Sequence, residues 1–146
     1  MLFGGFDHKI DKKGRVFIPS AFREDLGEQF MICRYVLGNK YCLCIYSQEQ
    51  WETFVKKIDT LPSTKSSAVK RFLYDGTFTI EFDTQGRILI PPVLREYAKL
   101  GSEVHIVGMG NNLEIWDSER WKEENSNNTL EFVSSVMEDL ADNYDF

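Results

Sequence analysis

The sequence is poor in the residues that build disulfide-stabilised, metal-binding and membrane-spanning proteins. It has only three cysteines, and Cys42 and Cys44 alternate within a predicted strand, so neither a disulfide framework nor a zinc knuckle is indicated. No run approaches the roughly 18 apolar residues of a membrane span. The start MLFGGFDHK lacks the charged and apolar regions of a secretion signal. We therefore expect buried, unpaired cysteines in a cytoplasmic protein with no metal, cofactor or membrane partner.

An excess of positive charge is also missing. The net charge is −6 and the pI is about 5.0, which at face value argues against a nucleic-acid-binding protein. The negative charge is concentrated at the end of the chain. Residues 117–146 contain nine Asp and Glu against Arg120 and Lys122, a balance of −7, which leaves fifteen basic and fourteen acidic residues before them, a balance of +1. Binding of DNA by the rest of the chain is therefore not excluded.

An internal repeat organises the chain. FDHKIDKKGRVFIPSAFRE at 6–24 aligns without a gap with FTIEFDTQGRILIPPVLRE at 78–96, at an offset of 72. Farther on, LCIYSQEQW at 43–51 aligns with LEIWDSERW at 113–121, at an offset of 70. Each half is therefore one complete structural unit.

Each repeat begins with a predicted hairpin. Apolar and polar residues alternate over 6–11 and 15–18, and again over 78–83 and 87–90, which is typical of half-buried strands. The connecting turn has the pattern DxxG, in which Asp suits the first position of a type I turn and Gly the fourth. Asp11, Gly14, Asp83 and Gly86 are therefore predicted to form the turns and to orient the arginines that follow.

The remaining pattern predicts a β-rich α+β protein. Pro19 and Pro91 are suited to start short helices that run to about Leu26 and Ala98. Ser47 with Gln50 predicts a capping box. Further strands are predicted at 30–35, 41–46, 104–107 and 113–116, with helices at 63–74 and from 130 onward. We divide the single compact unit, 1–146, into a first repeat (5–47), a helical linker (48–76), a second repeat (77–120) and an acidic helical tail (121–146).

The motifs DKKGRVFIPSAFR, DTQGRILIPPVLR and GNNLEIWDSERW closely resemble those of the MraZ family, whose halves are AbrB-like (SpoVT-AbrB) units. This resemblance implies a pseudo-twofold swapped-hairpin β-barrel with peripheral helices, assembled into a closed ring of subunits. It also implies a nucleoid-associated transcriptional regulator of a cell-division and cell-wall gene cluster, including its own promoter, that binds repeated sites on double-stranded DNA. The acidic tail beyond about Trp121 is expected to depart from the family.

The family's DNA-binding element, DxxxR, matches Asp11 and Arg15 in the first repeat and Asp83 and Arg87 in the second. A planar guanidinium held at a turn suits bidentate contact with phosphate or with guanine. Because Lys12 and Lys13 make the first turn +2 whereas the second is neutral, we expect the first turn to dominate affinity.

Weaker DNA contacts are also predicted outside the arginines. Lys9 lies one pleat from the first turn, and Thr84 and Gln85 can contact a phosphate or a base edge without charge.

The sequence shows no arrangement of residues that catalysis requires. His8 and His105 are not aligned by the repeat, and the repeated acidic residues lie in turns beside arginines rather than as a nucleophile with its base. We therefore predict no enzyme, no catalytic residues and no small-molecule substrate. The alternative to a DNA-binding homo-oligomer is a protein-protein interaction module with an AbrB-like core and little DNA binding.

Overall fold

The computed structural model describes residues 1–145 and has an α+β, β-rich fold, which confirms the predicted class. The strands are β1 (Gly5–Lys9), β2 (Arg15–Phe17), β3 (Gln29–Arg34), β4 (Leu43–Ser47), β5 (Phe78–Glu81), β6 (Arg87–Leu89), β7 (Glu103–Gly108) and β8 (Leu113–Asp117). The helices are α1 (Ser20–Leu26), α2 (Gln48–Ile58), α3 (Ser63–Asp75), α4 (Pro92–Tyr97), α5 (Ser118–Asn125) and α6 (Leu130–Asn143). Each predicted strand and helix is present, with ends shifted by a few residues.

Strands of the two repeats are interleaved. A six-stranded antiparallel sheet has the order β1-β7-β8-β4-β3-β5, and β2 and β6 form a separate two-stranded sheet. Strand β1 pairs with β7, β3 with β5 and β2 with β6, so each of these ladders joins one repeat to the other. Over residues 1–145 the hydrogen-bonded ladders do not close into a barrel, because β1 and β5 are the edges of the larger sheet.

The predicted hairpins were wrong. Both turns reverse the chain, but the strand after each turn pairs with the other repeat rather than with the strand before it. The reason lies in the apolar side of β2 and β6. Val16 lies opposite Ile88, both are buried, and their side chains join the same core. Pairing across the repeats therefore buries the apolar side of both short strands at once.

The main core is built from equivalent positions of the two repeats. Its fully buried members include Ile18 and Ile90, which the repeat aligns, and Phe22 and Leu94 on the short helices. Burying each such side chain contributes about 1.5–3 kcal/mol. Because both repeats supply this main core, neither repeat can form it alone.

The three cysteines are buried and unpaired, as predicted. Cys33 and Cys44 lie opposite each other in β3 and β4 and pack with Ile58 and Leu73 in a smaller core under α2 and α3. Burial raises the pKa of the Cys33 thiol to about 12. These thiols are therefore protonated packing groups rather than nucleophiles.

The helices after β4 and β8 begin in the same way, and one of the two hydrogen bonds of the predicted capping box at Ser47 is present. The Ser47 hydroxyl accepts a hydrogen bond from Gln50 N at 3.2 Å, and the Tyr46 and Trp51 rings lie 5.8 Å apart. In the second repeat the Asp117 carboxylate caps α5, and the Trp116 and Trp121 rings lie 5.9 Å apart. The repeat therefore extends to the local packing of both helices.

Helix α6 differs from the others because every one of its residues is exposed. Its start is capped by the Thr129 hydroxyl, which accepts a hydrogen bond from Phe132 N at 3.1 Å. Across residues 1–145, none of the helices combines the length and the apolar character needed to cross a membrane.

Candidate nucleic-acid interface

The first turn is organised by the carboxylate of Asp11. Its Oδ1 atom accepts hydrogen bonds from Lys13 N at 3.0 Å and Arg15 N at 2.9 Å, and its Oδ2 accepts one from Arg15 Nε at 2.7 Å. Gly14 completes the turn with a φ of 91°, a value that L side chains rarely adopt. The carboxylate therefore holds both the backbone of the turn and the orientation of the Arg15 guanidinium.

The second turn repeats this geometry. Asp83 Oδ1 accepts hydrogen bonds from Gln85 N and Arg87 N, both at 2.9 Å, and Oδ2 accepts one from Arg87 Nε at 2.8 Å. Gly86 has a φ of 78°. Each arginine is thus held through Nε, and these hydrogen bonds leave its two Nη groups available to a planar acceptor.

The backbone hydrogen bonds also act on the aspartates. The Arg15 backbone N–H, helped by its side chain, lowers the pKa of Asp11 to about 2. The Arg87 backbone N–H similarly lowers the pKa of Asp83, and Gln85 N–H adds to the effect. Both carboxylates are therefore ionised at neutral pH and keep their arginines oriented.

The β2–β6 ladder brings the two arginines onto one face. Arg15 lies opposite Leu89 and Phe17 lies opposite Arg87. Arg15 and Arg87 are therefore diagonal neighbours, with backbones about 7–8 Å apart. Phe17 is 44% exposed and Leu89 is 54% exposed on the same side of the ladder. Arg87 Cζ lies 5.9 Å from the centre of the Phe17 ring. Arg15 and Arg87, 72 positions apart in sequence, thus lie beside the exposed Phe17 and Leu89 on one surface, here called the ladder face: Arg15, Phe17, Arg87 and Leu89. The side chains of Arg15 and Arg87 are themselves half-buried, with 35% and 20% of their surface exposed.

The two turns lie at opposite ends of this ladder. The ladder extends beyond the strands, because Ile90 N donates to Gly14 O at 2.9 Å and Ile18 N donates to Gly86 O at 3.3 Å. Four residues of strand therefore separate Gly14 from Gly86, a distance of about 14 Å.

The other predicted DNA contacts lie in or near the turns. Lys12 and Lys13 are exposed at the first end of the ladder, and Thr84 and Gln85 are exposed at the second. Lys9 is exposed at the end of β1, where it lies opposite Glu103 of β7. The β2–β6 ladder therefore has a positively charged turn at one end and a neutral turn at the other.

The last arginine of each motif, Arg23 or Arg95, packs against the turn of the other repeat. The sequence did not reveal this contact. A Cβ on Gly14 would stand 2.6 Å from Arg95 Cζ, and Arg23 lies equally close over Gly86. Arg23 Nε donates to Ile18 O and Arg95 Nε to Ile90 O, each at 3.0 Å. The occurrence of an arginine at this position in both motifs indicated a shared role. It could not indicate the contact, because the turn that each arginine contacts lies in the other repeat. These arginines therefore lock the turns rather than extend the exposed cationic surface.

A concave surface of about 550 Å³ adjoins the first turn and is lined in part by Lys12, Arg95 and Lys99 together with Asp11 and Glu96. Another concave surface, of about 770 Å³, is instead lined by Asp25, Glu28, Glu49 and Glu81 among others. Within residues 1–145, no three His, Cys, Asp or Glu side chains are grouped so as to hold a metal ion.

Comparison with known proteins assigns the family. The model of the family described as "MraZ protein, putative antitoxin-like" matches residues 1–71 and again residues 73–140. The chain belongs to the MraZ family. The two matched segments confirm that MraZ-type sequence is repeated along the chain.

Two relatives are named "Transcriptional regulator MraZ". The protein of Thermoanaerobacter sp. (strain X514) is 46% identical over 144 residues, which cover 97% of this chain and 98% of the relative. The protein of Halothermothrix orenii (strain H 168) is 41% identical over 145 residues, which cover 97% and 99%. The expected departure of the tail from the MraZ family was therefore wrong, because the family match reaches residue 140 and both relatives align over nearly their whole length.

One solved structure resembles the chain less closely than these two relatives do. The solution structure of PHS018 from Pyrococcus horikoshii matches with a TM-score of 0.33 and 17% identity, over 79% of this chain and 88% of that one.

Proposed function

We propose that this MraZ-family chain is a sequence-specific DNA-binding transcriptional regulator that contacts double-stranded DNA through the ladder face and its two turns. The observation that carries the proposal is the placement of the partly exposed Arg15 and Arg87 on one face of the β2–β6 ladder, each oriented by its own aspartate. The names of the relatives support a role in transcriptional regulation. The proposal assigns the chain no catalytic activity, cofactor or small-molecule substrate.

The size of the ladder face suits the major groove of DNA. The groove of B-DNA is about 12 Å wide and admits a two-stranded β-ribbon. An arginine held in advance by a carboxylate loses less side-chain freedom on binding, and its Nη groups match guanine O6 and N7 or a phosphate. Lys12 and Lys13 add phosphate contacts at the first end, while Thr84 and Gln85 offer uncharged ones at the second.

One subunit supplies few positive charges, so useful affinity requires several subunits on one DNA. Each bound turn raises the effective concentration of the next, and the salt dependence grows with the number of phosphates contacted. We therefore infer a homo-oligomer, closed into a ring by head-to-tail contacts, that binds repeated promoter sites.

The finer expectations follow from the family resemblance. The target is a cell-division and cell-wall gene cluster that includes the protein's own promoter, and the protein acts in the cytoplasm in association with the nucleoid. For the swapped-hairpin barrel expected of the core, the pairing of β1 with β7 and of β2 with β6 supports the exchange of strands between the repeats, whereas the open edges at β1 and β5 do not support closure of the sheet over residues 1–145.

A band-shift experiment tests the DNA-binding function. The wild-type protein is mixed with the duplex upstream of its own gene and with unlabelled specific or scrambled competitor. We expect only the specific duplex to compete. The double variant Arg15→Ala/Arg87→Ala is expected to lose the specific complex, whereas the control Lys56→Ala/Lys57→Ala, which removes two exposed positive charges from α2, is expected to retain it. Equal losses in both variants would show that general charge, and not the ladder face, produces the binding.

The alternative, an interaction module with little DNA binding, is favoured by one observation, the exposed apolar side of α6. It predicts that specific and scrambled DNA compete equally well, or that neither binds.

A further inference from the structure

The short helices α1 and α4 are followed by different residues, although the repeat aligns their ends. Gly27 follows α1 with a φ of 78°, and Lys99, its counterpart at the offset of 72, comes just after α4 with a φ of 53°. Glycine adopts a positive φ readily, whereas a residue with a side chain is strained there. Lys99 is exposed, so burial of its side chain in the core does not offset the strain. The second repeat therefore keeps a charged side chain where the backbone favours glycine.

Lys99 lies beside the first turn, because the end of α4 packs against that turn. It lines the concave surface of about 550 Å³ together with Lys12 of the turn and Arg95 of α4. Two acidic residues, Asp11 and Glu96, also line this surface, and Asp11 is already paired with the arginine of its own turn. Among residues 1–145, neither lysine forms an ion pair with a carboxylate. The concave surface thus brings together two lysines, one from each repeat, whose charges remain available.

The ring of Tyr41 holds the Lys99 side chain in place. Lys99 Nζ lies 4.6 Å from the centre of this ring, and Arg120 Cζ lies 5.4 Å from it. A contact with an aromatic face orients an ammonium group without cancelling its charge. Glu123 and Glu124 lie near Arg120, where they share a smaller concave surface with it. The positive surface that begins at the first turn therefore includes Lys99 and ends near Arg120.

The concave surface near the second turn has the opposite charge. Gly27 lines it, at the position that Lys99 occupies in the other repeat. Its lining residues within the described chain include no lysine or arginine but four acidic residues: Asp25, Glu28, Glu49 and Glu81. The N-terminal amine pairs with only one of these, Asp25. The fold therefore accepts glycine at the end of the short helix, and the lysine at position 99 makes the two ends of the β2–β6 ladder electrostatically different.

We infer that Lys99 binds a phosphate of the DNA backbone, which it holds together with Lys12 in the concave surface beside the first turn. A ladder about 14 Å long reaches across a major groove about 12 Å wide, so a turn at its end comes beside a DNA backbone. A lysine binds phosphate as a point charge and carries no sequence information. The inference rests on the DNA-binding function proposed above and adds a contact outside both repeated motifs. Because the acidic surface near the second turn repels phosphate, the contact is expected on one side of the site only.

Salt titrations of binding to a duplex with a single site test the contact in the full chain. Lys99→Gln removes the charge, and the matched control Lys57→Gln removes the same charge from an exposed position of α2. Lys99→Gln is expected to weaken binding to specific and scrambled DNA by the same factor and to lower the logarithmic salt slope by about one unit. The control is expected to keep the wild-type affinity and slope. Light scattering checks that the oligomeric state is unchanged.

Lys99→Gly separates a phosphate contact from a structural role. Glycine suits the positive φ, so this variant is expected to be at least as stable to urea as the wild type while losing as much DNA affinity as Lys99→Gln. A variant that is less stable but binds DNA like the wild type would overturn the inference, because Lys99 would then contribute only its packing on Tyr41.

Duplexes with one neutral methylphosphonate in place of a phosphate locate the contact. We expect one or two adjacent positions, on one side of the site, at which the substitution weakens binding of the wild type but not of Lys99→Gln. The absence of any such position, or an unchanged salt slope in Lys99→Gln, would overturn the inference. If Arg15→Ala still loses the specific complex in that case, the proposed DNA-binding function stands. A wild type that does not distinguish specific from scrambled DNA would overturn the proposed function and this inference with it.

Discussion

The guanidinium of Arg95 lies over Gly14, in a position that leaves no room for a side chain on the glycine. Arg23 lies in the same way over Gly86. Each turn is thus held in place by the short helix of the other repeat. The shape of the turns depends on correct packing between the repeats as well as on the local sequence.

We expect Gly14→Ala to destabilise the protein by about 2 kcal/mol or more, because the added Cβ meets Arg95 and the positive φ is strained for alanine. Urea unfolding measures the loss. Gly110→Ala is the matched control, since Gly110 has a φ of 88° with no atom within 4 Å of an added Cβ. Equal losses in the two variants would show that the contact with Arg95 contributes nothing.

Arg15→Ala is expected to weaken specific DNA binding more than Arg87→Ala, because Lys12 and Lys13 reinforce only the first turn. A lost guanine contact costs roughly 1–3 kcal/mol, and a lost phosphate contact lowers the logarithmic salt slope by about one unit. Salt titrations of both variants, with light scattering to confirm an intact oligomer, measure the difference. A larger defect for Arg87→Ala would make the second turn the principal contact.

The free energy of unfolding is expected to fall in acid, because protonation of Asp11 and Asp83 weakens the hydrogen bonds of the two turns. The pKa of Asp11 is about 2 in the folded protein against an ordinary value of 3.8. The depressed pKa therefore contributes stability that is present above the ordinary value and is lost as the pH falls towards the folded pKa. Asp11→Asn should flatten the dependence of the unfolding free energy on pH between about pH 5 and pH 2. An equally steep dependence in the variant would contradict the assignment to Asp11.

Glu114→Gln is expected to stabilise the protein at neutral pH. Glu114 is 8% exposed and accepts a hydrogen bond from Trp116 Nε1 at 2.9 Å. Burial raises its pKa above the ordinary value, so the stability that this carboxyl contributes is present at low pH and is lost as the pH rises through the folded pKa.

Glutamine at position 114 keeps an oxygen that accepts the hydrogen bond from Trp116 Nε1, but it carries no charge into the buried site. The gain in unfolding free energy should therefore disappear in acid, where Glu114 is neutral in both states. Urea unfolding at neutral and acid pH measures both values. A variant less stable than wild type at neutral pH would contradict the prediction.

Local structure was predictable where the signal was local. The helix Ser63–Asp75 follows Pro62 and has apolar residues at helical spacing, and Ser20–Leu26 follows Pro19. The turn pattern DxxG likewise indicated a chain reversal, which occurs at both sites.

The same patterns did not predict which strand pairs with which. The alternation in Arg15–Phe17 suits pairing with the preceding strand or with the second repeat equally well, and burial of Val16 against Ile88 decides between them. The contact of Arg95 with Gly14 depends on that pairing. The apolar spacing of α6 was likewise visible in the sequence, but the pattern does not name the surface that covers it.

The pairing of β1 with β7 has a consequence for synthesis of the chain. Gly5 pairs with Val107 and Lys9 with Glu103, so β1 has no partner in the sheet until synthesis of the chain has passed β7. Contacts between residues so far apart slow folding, because a long loop must close before they form. Until then the edge of β1 and the apolar side of the first repeat are exposed, which makes the nascent chain prone to aggregation. The acidic residues of the tail arrive only after that period has ended, so they do not protect the chain during it.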